Sequence, residues 1–384
     1  MNFKYKLFAY IFNFFKFFSS NKTFITFIID EISFNYPLKY LKEELNKKKH
    51  FKYNYIYKNK YSFDKSKNLR EKFLTFFNLL NFFFIKTFRL SKSKYIFLDD
   101  NFSPLAYMNF DKHTKVIQLW HAPGAFKKFG YTAVDNENQK NLIEQAGHKI
   151  DYIVVSSKNV SKIYEEAFKV ENNKILALGT PKTDYYFDKK NNSKENIKKI
   201  RAEFDKKYAG IKGKKIVLYA PTFRENKEKN NDILVNFDFN LFNSYLGDEF
   251  CLFFKSHPKF KISKEDDFIN VSDYKNTDEL LLISDILITD YSSIMIEYAI
   301  LFKPIIFYPF DLDYYISNER GFYFDYNDVP GEIAKNTEEI IELIKNKKNN
   351  SIFDMNKIHT FLNLEYDYLD DKSSKRIIDF LLNE

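Results

Sequence analysis

Two histidines each come directly after a predicted buried strand. His121 stands in the motif WHAPG after the strand 116–119, and His257 stands in KSHP after the strand 250–254. Histidine has an unperturbed pKa of about 6.5, so it can take or give a proton at neutral pH. One histidine in such a place is more often structural. Two at corresponding strand ends favour acid–base catalysis or ligand binding.

The stretch 285–304 predicts a phosphate site. Ile286–Thr289 is typical of a strand buried in a parallel sheet, and Asp290 follows at its carboxyl end. Ser292 and Ser293 then fall where a helix begins. The first turn of a helix has unpaired N–H groups and partial positive charge, so hydroxyls there can complete a seat for phosphate or diphosphate. The alternative is that a serine only caps the helix.

Basic residues accompany the predicted strand ends, as a diphosphate ligand requires. They are Lys127, Lys128, Lys182, Arg224, Lys255, Lys259 and Arg320. Individually each could equally be a solvated surface charge. Neither the GxxxxGK[ST] pattern nor the GxGxxG pattern occurs, which argues against P-loop hydrolases and NAD enzymes.

Metal and cofactor sites are not predicted. Asp311-Leu312-Asp313 imitates a DxD motif, and Asp99-Asp100 does so loosely, but matches this short are weak. There is no HxxxH motif and no cysteine cluster. The single cysteine, Cys251, excludes an intramolecular disulfide and fits a buried thiol in a reducing compartment.

Predicted strands and helices alternate twice along the 384 residues, which indicates two doubly wound α/β domains. A polar, Lys- and Asn-rich stretch, 188–214, separates them. We predict an N-terminal domain over 1–187, a C-terminal domain over 188–369 and a final helix over 370–384. Ligands of such sheets bind at the carboxyl ends of the strands, so the polar turns are expected to line a cleft between the domains.

The net charge of +8 is unevenly distributed. Residues 1–89 contain 18 Lys/Arg and 6 Asp/Glu, a balance of +12, which predicts an anionic partner. Residues 1–18 form a predicted amphipathic helix with Phe3, Leu7, Phe14 and Phe18 on one face, and residues 71–90 are similar in character. Both fit a membrane interface or packing on the protein's own core. No spanning helix and no signal peptide are predicted.

Six blocks in order resemble the CDP-glycerol glycerophosphotransferase family, whose members build teichoic acids and related polyol-phosphate polymers of envelopes and capsules. The blocks are QLWHAPGAFKKFGY (118–131), GTPKTDYYF (179–187), LYAPTFR (218–224), FKSHP (254–258), TDYSSIMIEYAILFKPIIFY (289–308) and the DLDYY…RGFYFDY…PG series (311–331). Together they are highly specific. The chain departs from the family's frequent WHG by having WHA, and it carries Glu297 where Asp is also common.

This resemblance implies a two-domain GT-B fold and transfer of glycerol phosphate from CDP-glycerol to a lipid-linked acceptor, with CMP released and no cofactor. It implies peripheral attachment at the cytoplasmic face of the membrane. His121 is the implied general base, and His257, Arg224, Lys255, Ser292 and Ser293 are implied at the donor phosphates. Further donor or acceptor contacts are expected from Thr222, Asp290, Asp311, Arg320, Gly124 and Lys127.

Three other functions are compatible with parts of the pattern. A CDP-ribitol donor would use the same motifs, and a GT-B glycosyltransferase would use the same phosphate seat for a nucleotide sugar. A polyanion- or nucleic-acid-binding module would use only the basic front end. That last reading leaves the histidine and serine turns unexplained, and the aromatic residues follow helical spacing rather than a stacking pattern. We therefore predict no nucleic-acid partner.

Overall fold

The computed structural model describes residues 2–19, 22–30, 37–48, 50–58, 69–257, 268–346 and 354–383. It contains two six-stranded parallel sheets, which confirms the predicted α/β class. The chain forms two compact units. Unit 1 comprises residues 1–124, 128–184 and 372–384, and unit 2 comprises residues 125–127 and 185–371.

The sheet of unit 1 has the strand order β2-β1-β3-β4-β5-β6. One face of this sheet packs a core of aromatic and branched side chains, among them Phe27 and Phe97, which are opposite each other in the sheet with ring centroids 5.3 Å apart. The strands are β1 (Phe24–Ile29), β2 (Lys52–Tyr57), β3 (Ser93–Leu98), β4 (Lys115–Gln118), β5 (Tyr152–Val155) and β6 (Ile175–Ala177).

The sheet of unit 2 has the order β12-β11-β10-β7-β8-β9. Its strands are β7 (Lys215–Tyr219), β8 (Phe250–Phe254), β9 (Ile269–Asn270), β10 (Ile286–Thr289), β11 (Ile305–Phe307) and β12 (Glu332–Ile333). β7 pairs with β8 on one side and with β10 on the other, so the winding direction reverses at β7. The carboxyl ends at such a switch point are where open α/β sheets bind ligands.

The helices cover the faces of the sheets, as parallel strands buried on both sides require. A π-helical turn, Asn81–Lys86, joins α3 to α4. The helices are α1 (Asn2–Lys16), α2 (Pro37–Lys48), α3 (Leu69–Leu80), α4 (Thr87–Ser91), α5 (Glu137–Gly147), α6 (Ser161–Phe168), α7 (Pro181–Phe187), α8 (Lys194–Lys207), α9 (Lys227–Asn236), α10 (Phe239–Leu246), α11 (Thr277–Ile283), α12 (Ile294–Ala299), α13 (Leu312–Asn318), α14 (Thr337–Asn346), α15 (Met355–Glu365) and α16 (Ser373–Asn383).

Helix α16 completes the core of unit 1, although it follows unit 2 in the chain. Ile377, Ile378 and Leu381 are buried among the side chains of the first sheet. The Tyr95 hydroxyl donates to the Leu381 carbonyl at 2.6 Å. The carboxylate of Asp184 accepts the first backbone N–H groups of α16, at 2.8 Å each. A carboxylate at this position satisfies N–H groups that have no partner within the helix.

Helix α1 packs on unit 1 with one face only. Phe8 is buried, with ring centroids 5.1 Å from Phe82 and 5.5 Å from Phe102. The opposite face, predicted from the spacing of its aromatic residues, is exposed: Phe3 keeps 77% of its surface and Phe14 keeps 61%. The helix therefore has one face packed on the protein and one apolar face open to solvent, and the membrane interface stays a prediction.

The segment from α3 to α4 extends this exposed apolar surface. Phe73, Phe76 and Phe77 of α3 and Phe84 of the π-helical turn are about half exposed or more. The segment Lys72–Ser91 is long and apolar enough to cross a membrane by length and composition only, and little of it is buried, while the expectation of no spanning helix stays a prediction. Its carboxyl end is nevertheless fixed in the fold, because α4 packs on α1 and buries Leu90.

Candidate active site

His121 lies in unit 1, at the carboxyl end of β4. Trp120 precedes it with a φ of 58°, which is uncommon for a bulky residue and marks a strained turn. The Trp120 N–H donates to the Gln118 side chain at 2.9 Å, and the indole stacks on Phe129 with ring centroids 5.0 Å apart. These contacts hold the turn, and the His121 side chain remains 47% exposed.

Asp100 is the acidic neighbour of His121. Its Oδ1 lies 3.9 Å from the imidazole Nδ1, which is beyond hydrogen-bond length but within electrostatic range. Although 47% of the side chain is exposed, the protein atoms packed around the ring desolvate it in part and lower the pKa of His121; Asp100 opposes that change, and the charges of Lys182 and Lys58 reinforce it. A neutral imidazole beside a carboxylate can accept a proton and is stabilised once charged.

Asp100 was not predicted as the partner of His121, although the pair at 99–100 was expected at a site-facing strand end and as a weak metal motif. A pairing argument could have found it. β3 and β4 are neighbours with Leu98 opposite Gln118, so the residues two or three positions beyond each strand meet at one sheet edge. Lys182 follows β6 at the same edge of the sheet, and its charge lowers the pKa of His121.

Gly124 closes the turn after His121. It has a φ of 64°, where glycine avoids the strain that other residues meet. Its N–H donates to Ser156 Oγ at 3.0 Å and its carbonyl accepts the Tyr164 hydroxyl at 2.9 Å. Both backbone groups are therefore used within unit 1, which gives Gly124 a structural role beside its predicted contact role.

Arg224 lies in unit 2 at the centre of a buried ion-pair cluster. Its side chain has no exposed surface. Nε and Nη2 donate to the two oxygens of Asp311 at 2.8 and 2.7 Å, Nη2 donates to Asp290 at 3.0 Å, and Nη1 donates to the Thr222 carbonyl. Burial alone would lower the pKa of Arg224, but the two carboxylates raise it above its ordinary value. All three guanidinium nitrogens thus point to protein acceptors.

Aromatic rings enclose this guanidinium. Its carbon lies 5.0 Å from the Tyr291 ring centroid, 5.2 Å from Tyr315 and 5.4 Å from Phe310. Tyr291 also donates its hydroxyl to Asp311 at 3.0 Å. Cation–π contacts of a desolvated arginine are strong, so the cage fixes the guanidinium further. A role for Arg224 at the donor phosphates remains a prediction, because four of its five N–H groups are bonded within the protein and the side chain is buried.

The two carboxylates of the cluster also organise the surrounding turns. Asp290 Oδ1 accepts the Thr222 N–H at 2.7 Å and the Tyr291 N–H at 2.5 Å. Asp311 uses both oxygens on Arg224, which leaves its DxD-like motif occupied by a protein cation. Within the described ranges no three His, Cys, Asp or Glu side chains group as metal ligands.

Ser292 and Ser293 stand where α12 begins, as predicted. Ser293 occupies the N-cap position without a side-chain cap hydrogen bond, and Ser292 Oγ accepts the Ile294 N–H at a long 3.4 Å. Both side chains are half-buried. Capping is therefore weak, and the phosphate seat remains a prediction for these hydroxyls.

His257 and Lys255 follow β8 in unit 2. The His257 ring stacks on Phe223, with centroids 4.4 Å apart, which places it beside the turn that carries Arg224. Lys255 donates from Nζ to the Tyr274 carbonyl at 2.9 Å, and burial lowers its pKa to about 8. Pro258 of the same motif and Lys259 lie outside the described residues.

The segment 125–127 packs in unit 2. The Ala125 N–H donates to Glu365 Oε2 at 2.9 Å, and the Phe126 carbonyl accepts the Tyr323 N–H at 2.9 Å. Lys127 then forms an isolated antiparallel bridge with Phe322. Desolvation and the charge of Arg320 lower the pKa of Lys127 to about 8. Lys127 and Arg320, both predicted ligand contacts, are thus close neighbours.

Glu365 is a buried carboxyl with one oxygen unpaired. Oε2 accepts the Ala125 N–H, and Oε1 has no hydrogen-bond partner in the part of the chain that the structure describes. Burial raises the pKa of Glu365 to about 8, and only the bond from Ala125 opposes this. The native state therefore favours the protonated form over a pH range where the unfolded chain is ionised.

We expect Glu365→Gln to stabilise the protein increasingly as pH rises. Between pH 5 and 8 the wild type loses stability because the unfolded chain releases a proton that the native state retains, a difference of roughly 2–4 kcal/mol. The amide keeps an acceptor for Ala125 and does not titrate. Urea unfolding of both proteins at pH 5 and pH 8 measures this, with the exposed Glu342→Gln as control. Equal pH dependence in wild type and Glu365→Gln would contradict it.

Comparison with known proteins places this site in a family. Residues 8–383 match the family described as CDP-Glycerol:Poly(glycerophosphate) glycerophosphotransferase, beyond the 118–331 range of the motifs. The chain is 37% identical over 301 residues to the teichoic acid poly(ribitol-phosphate) polymerase of Bacillus spizizenii, covering 76% of this chain and 47% of that protein. It is 35% identical over 301 residues to the teichoic acid glycerol-phosphate primase of Bacillus subtilis, covering 76% and 74%. The chain thus spans about half the length of the first of these relatives.

Solved structures confirm the GT-B-like fold. The wall teichoic acid polymerase TagF superposes with a TM-score of 0.76 at 24% identity, covering 100% of this chain and 94% of that chain. A UDP-GlcNAc 2-epimerase from Neisseria meningitidis superposes with a TM-score of 0.56 at 13% identity, covering 94% and 99%. The match over nearly the whole chain, with the motif residues on the strand ends described above, shows that this protein belongs to the CDP-glycerol:poly(glycerophosphate) glycerophosphotransferase family.

Proposed function

We propose that the protein transfers glycerol phosphate from CDP-glycerol to a hydroxyl of a membrane-associated, teichoic acid-like or capsular acceptor and releases CMP. The observation that carries this proposal is the half-exposed His121, with its lowered pKa and its carboxylate neighbour Asp100, within a chain that matches the family over residues 8–383.

The proposed reaction is one in-line displacement at phosphorus. The neutral imidazole of His121 takes the proton of the acceptor hydroxyl, the oxygen forms a bond to the β-phosphorus, and the bond from that phosphorus to the oxygen of CMP breaks. Such transfers require chiefly positioning and charge stabilisation from the protein. Asp100 stabilises the imidazolium that forms, and half-exposed His257 with the first turn of α12 is suited to the charge on the departing CMP.

Ribitol phosphate is the second candidate group, because relatives of nearly equal similarity carry it in their names. The ribitol-phosphate primase of Bacillus spizizenii is 35% identical over 78% of this chain, beside 35% over 76% for the glycerol-phosphate primase of Bacillus subtilis. Incubating the enzyme with CDP-glycerol, CDP-ribitol or a UDP-sugar and a synthetic lipid-linked acceptor, then measuring release of CMP from the first two donors or of UDP from the third together with product mass, separates the candidates. If only the UDP-sugar is used as a donor, the proposed polyol-phosphate transfer is wrong and the protein is a glycosyltransferase.

We also propose that the protein lies on the cytoplasmic face of the membrane through the apolar surface of α1 and α3. Phe14 contacts Phe15 with ring centroids 5.7 Å apart, and Phe15 contacts Phe84 at 6.4 Å, so the rings of α1 adjoin those of the π-helical turn that follows α3. Exposed Lys4 and Lys72 stand among them. Exposed rings beside basic residues fit an anionic bilayer interface.

We expect Phe14→Ser/Phe17→Ser/Phe18→Ser to weaken binding to anionic liposomes by roughly tenfold or more, since each ring loses apolar burial. Cosedimentation with phosphatidylglycerol vesicles measures this. Point substitutions are preferable to deleting residues 1–18, because deletion would also remove buried Phe8. The exposed Val235→Ser in α9 is the matched control. Unchanged binding of the triple variant would exclude this surface as the membrane contact.

A further inference from the structure

Lys58 is the ion-pair partner of Asp100, the carboxylate beside His121. Its Nζ donates to Asp100 Oδ2 and, at 3.2 Å, to the Asn101 carbonyl. Only 14% of the Lys58 side chain is exposed, so water and salt screen this pair less than an ion pair on the surface. Lys58 lies outside all six motif blocks, because the first of them begins at residue 118.

The order of the strands brings Lys58 to this place. Its backbone N–H donates to the Ile29 carbonyl at 3.0 Å, which continues the pairing of β2 with β1 by one residue. β1 also pairs with β3, and Asp100 follows β3 at the same carboxyl edge of the sheet. The lysine side chain therefore reaches past the end of β1, from the outermost strand to the turn after β3.

Two further hydrogen bonds fix the turn that carries Asp100. The Asn101 N–H donates to Asp100 Oδ1 at 2.7 Å, and the buried Gln118 amide donates to the Asp100 carbonyl at 3.3 Å. The same Gln118 side chain accepts the Trp120 N–H, so it links this turn to the turn that carries His121. With the ammonium on Oδ2, both carboxylate oxygens are bonded, and Oδ1 stays 3.9 Å from the imidazole Nδ1.

We propose that Lys58 is a positioning residue of the catalytic base: by binding Asp100, it holds this carboxylate ionised and at electrostatic rather than hydrogen-bonding distance from His121. This inference rests on the proposed function and adds a residue to its site. The cation offsets part of the carboxylate's attraction for a proton on the imidazole, so the base stays neutral and able to accept one. Once the proton has been taken, Asp100 is already in place to stabilise the imidazolium.

Several groups act on His121 from the elements around it. Desolvation lowers its pKa most. Asp100 after β3 raises this pKa, Lys182 in α7 and Lys58 after β2 lower it, and a backbone hydrogen bond with Asp99 raises it. The Asp99 carboxylate accepts a backbone N–H from the end of β1 at 3.2 Å. Removing the cation of Lys58 leaves Asp100 less opposed, so the pKa of His121 should rise.

The test compares Lys58→Met and Lys58→Gln with Lys52→Met, which removes an equal charge from an exposed position of the same strand. Histidine NMR on the full chain, assigned with His121→Ala, measures the pKa of His121 without substrate. We expect a rise of roughly half a pH unit or more in both Lys58 variants and none in Lys52→Met. The rise should be smaller in the Asp100→Asn background, and Lys58→Arg should keep the wild-type value. Glutamine still offers Asp100 a hydrogen bond, so this variant carries the test if Lys58→Met is unstable.

Steady-state kinetics connect this titration with turnover. In both neutral Lys58 variants, kcat at pH 7 should fall roughly tenfold because the base is less well positioned, and the rise of kcat/KM should move to higher pH. KM for donor and acceptor should not change. A raised KM with the wild-type pH profile would overturn the inference, because Lys58 would then bind substrate. An unmoved His121 titration in both variants would also overturn it. A raised His121 pKa in a protein that releases no CMP from either donor would keep the placement of Asp100 by Lys58 and discard the proposed function.

Discussion

His121→Ala is expected to lower turnover about 10²- to 10⁴-fold, the range by which a positioned general base contributes. The fold should persist, since the His121 side chain is half exposed and its backbone turn is held by Trp120. The measurement is CMP release at saturating donor and acceptor, with circular dichroism of the variant as a check of folding. The exposed His113→Ala is the matched control.

The pH profile gives a second readout of the same assignment. Because the pKa of His121 is lowered, kcat/KM should rise with pH and level off below the ordinary histidine range. Asp100→Asn removes the carboxylate that raises this pKa, so the rise should move to lower pH while kcat falls. Near-normal turnover of His121→Ala, or an unmoved profile in Asp100→Asn, would contradict the base assignment.

Arg224→Met is expected to destabilise the protein by about 3–5 kcal/mol, as removal of one partner from a buried ion pair typically does. Methionine fills much of the same space but leaves Asp290 and Asp311 without their counter-charge in a buried cluster. Urea unfolding at neutral pH measures the loss. Adding Asp311→Asn should recover part of it, because the unpaired charge at that position is removed.

Arg320→Met is the control for this substitution, since Arg320 is an exposed cation of the same unit and should change stability little. A result with unchanged stability and weaker donor binding would change the role assigned to Arg224. If Arg224→Met unfolds at the wild-type urea concentration but loses affinity for CDP-glycerol, then the guanidinium binds the donor, and the ion-pair cluster is not its main role.

The sheets were predictable because parallel strands buried on both faces appear as short runs of branched and aromatic residues. β8 and β10 have the predicted bounds, and β4 begins and ends one residue before the predicted 116–119. The edge strands β9 and β12 were missed, since two residues carry no periodicity. Their backbone pairing depends on neighbours that the local sequence does not specify.

The residue types of the site could be predicted from the sequence, but the hydrogen bonds and ion pairs between these residues could not. His121 and Ser293 lie at strand or helix ends as expected, because these positions follow from element order. The enclosure of Arg224 by two carboxylates from turns about 66 and 87 positions away depends on tertiary packing. So does the burial of Glu365, which lies in an ordinary helical pattern and whose partner is the backbone of Ala125.

The chain leaves unit 1 for three residues at 125–127, returns, and adds α16 to unit 1 only after residue 371. During synthesis on the ribosome, the first sheet therefore emerges long before the helix that covers Tyr95 and caps on Asp184. The apolar face awaiting α16 is exposed in the nascent chain while unit 2 is still being made. Such a surface is a binding site for chaperones, and fragments ending before 372 should be retained by them rather than released as folded protein.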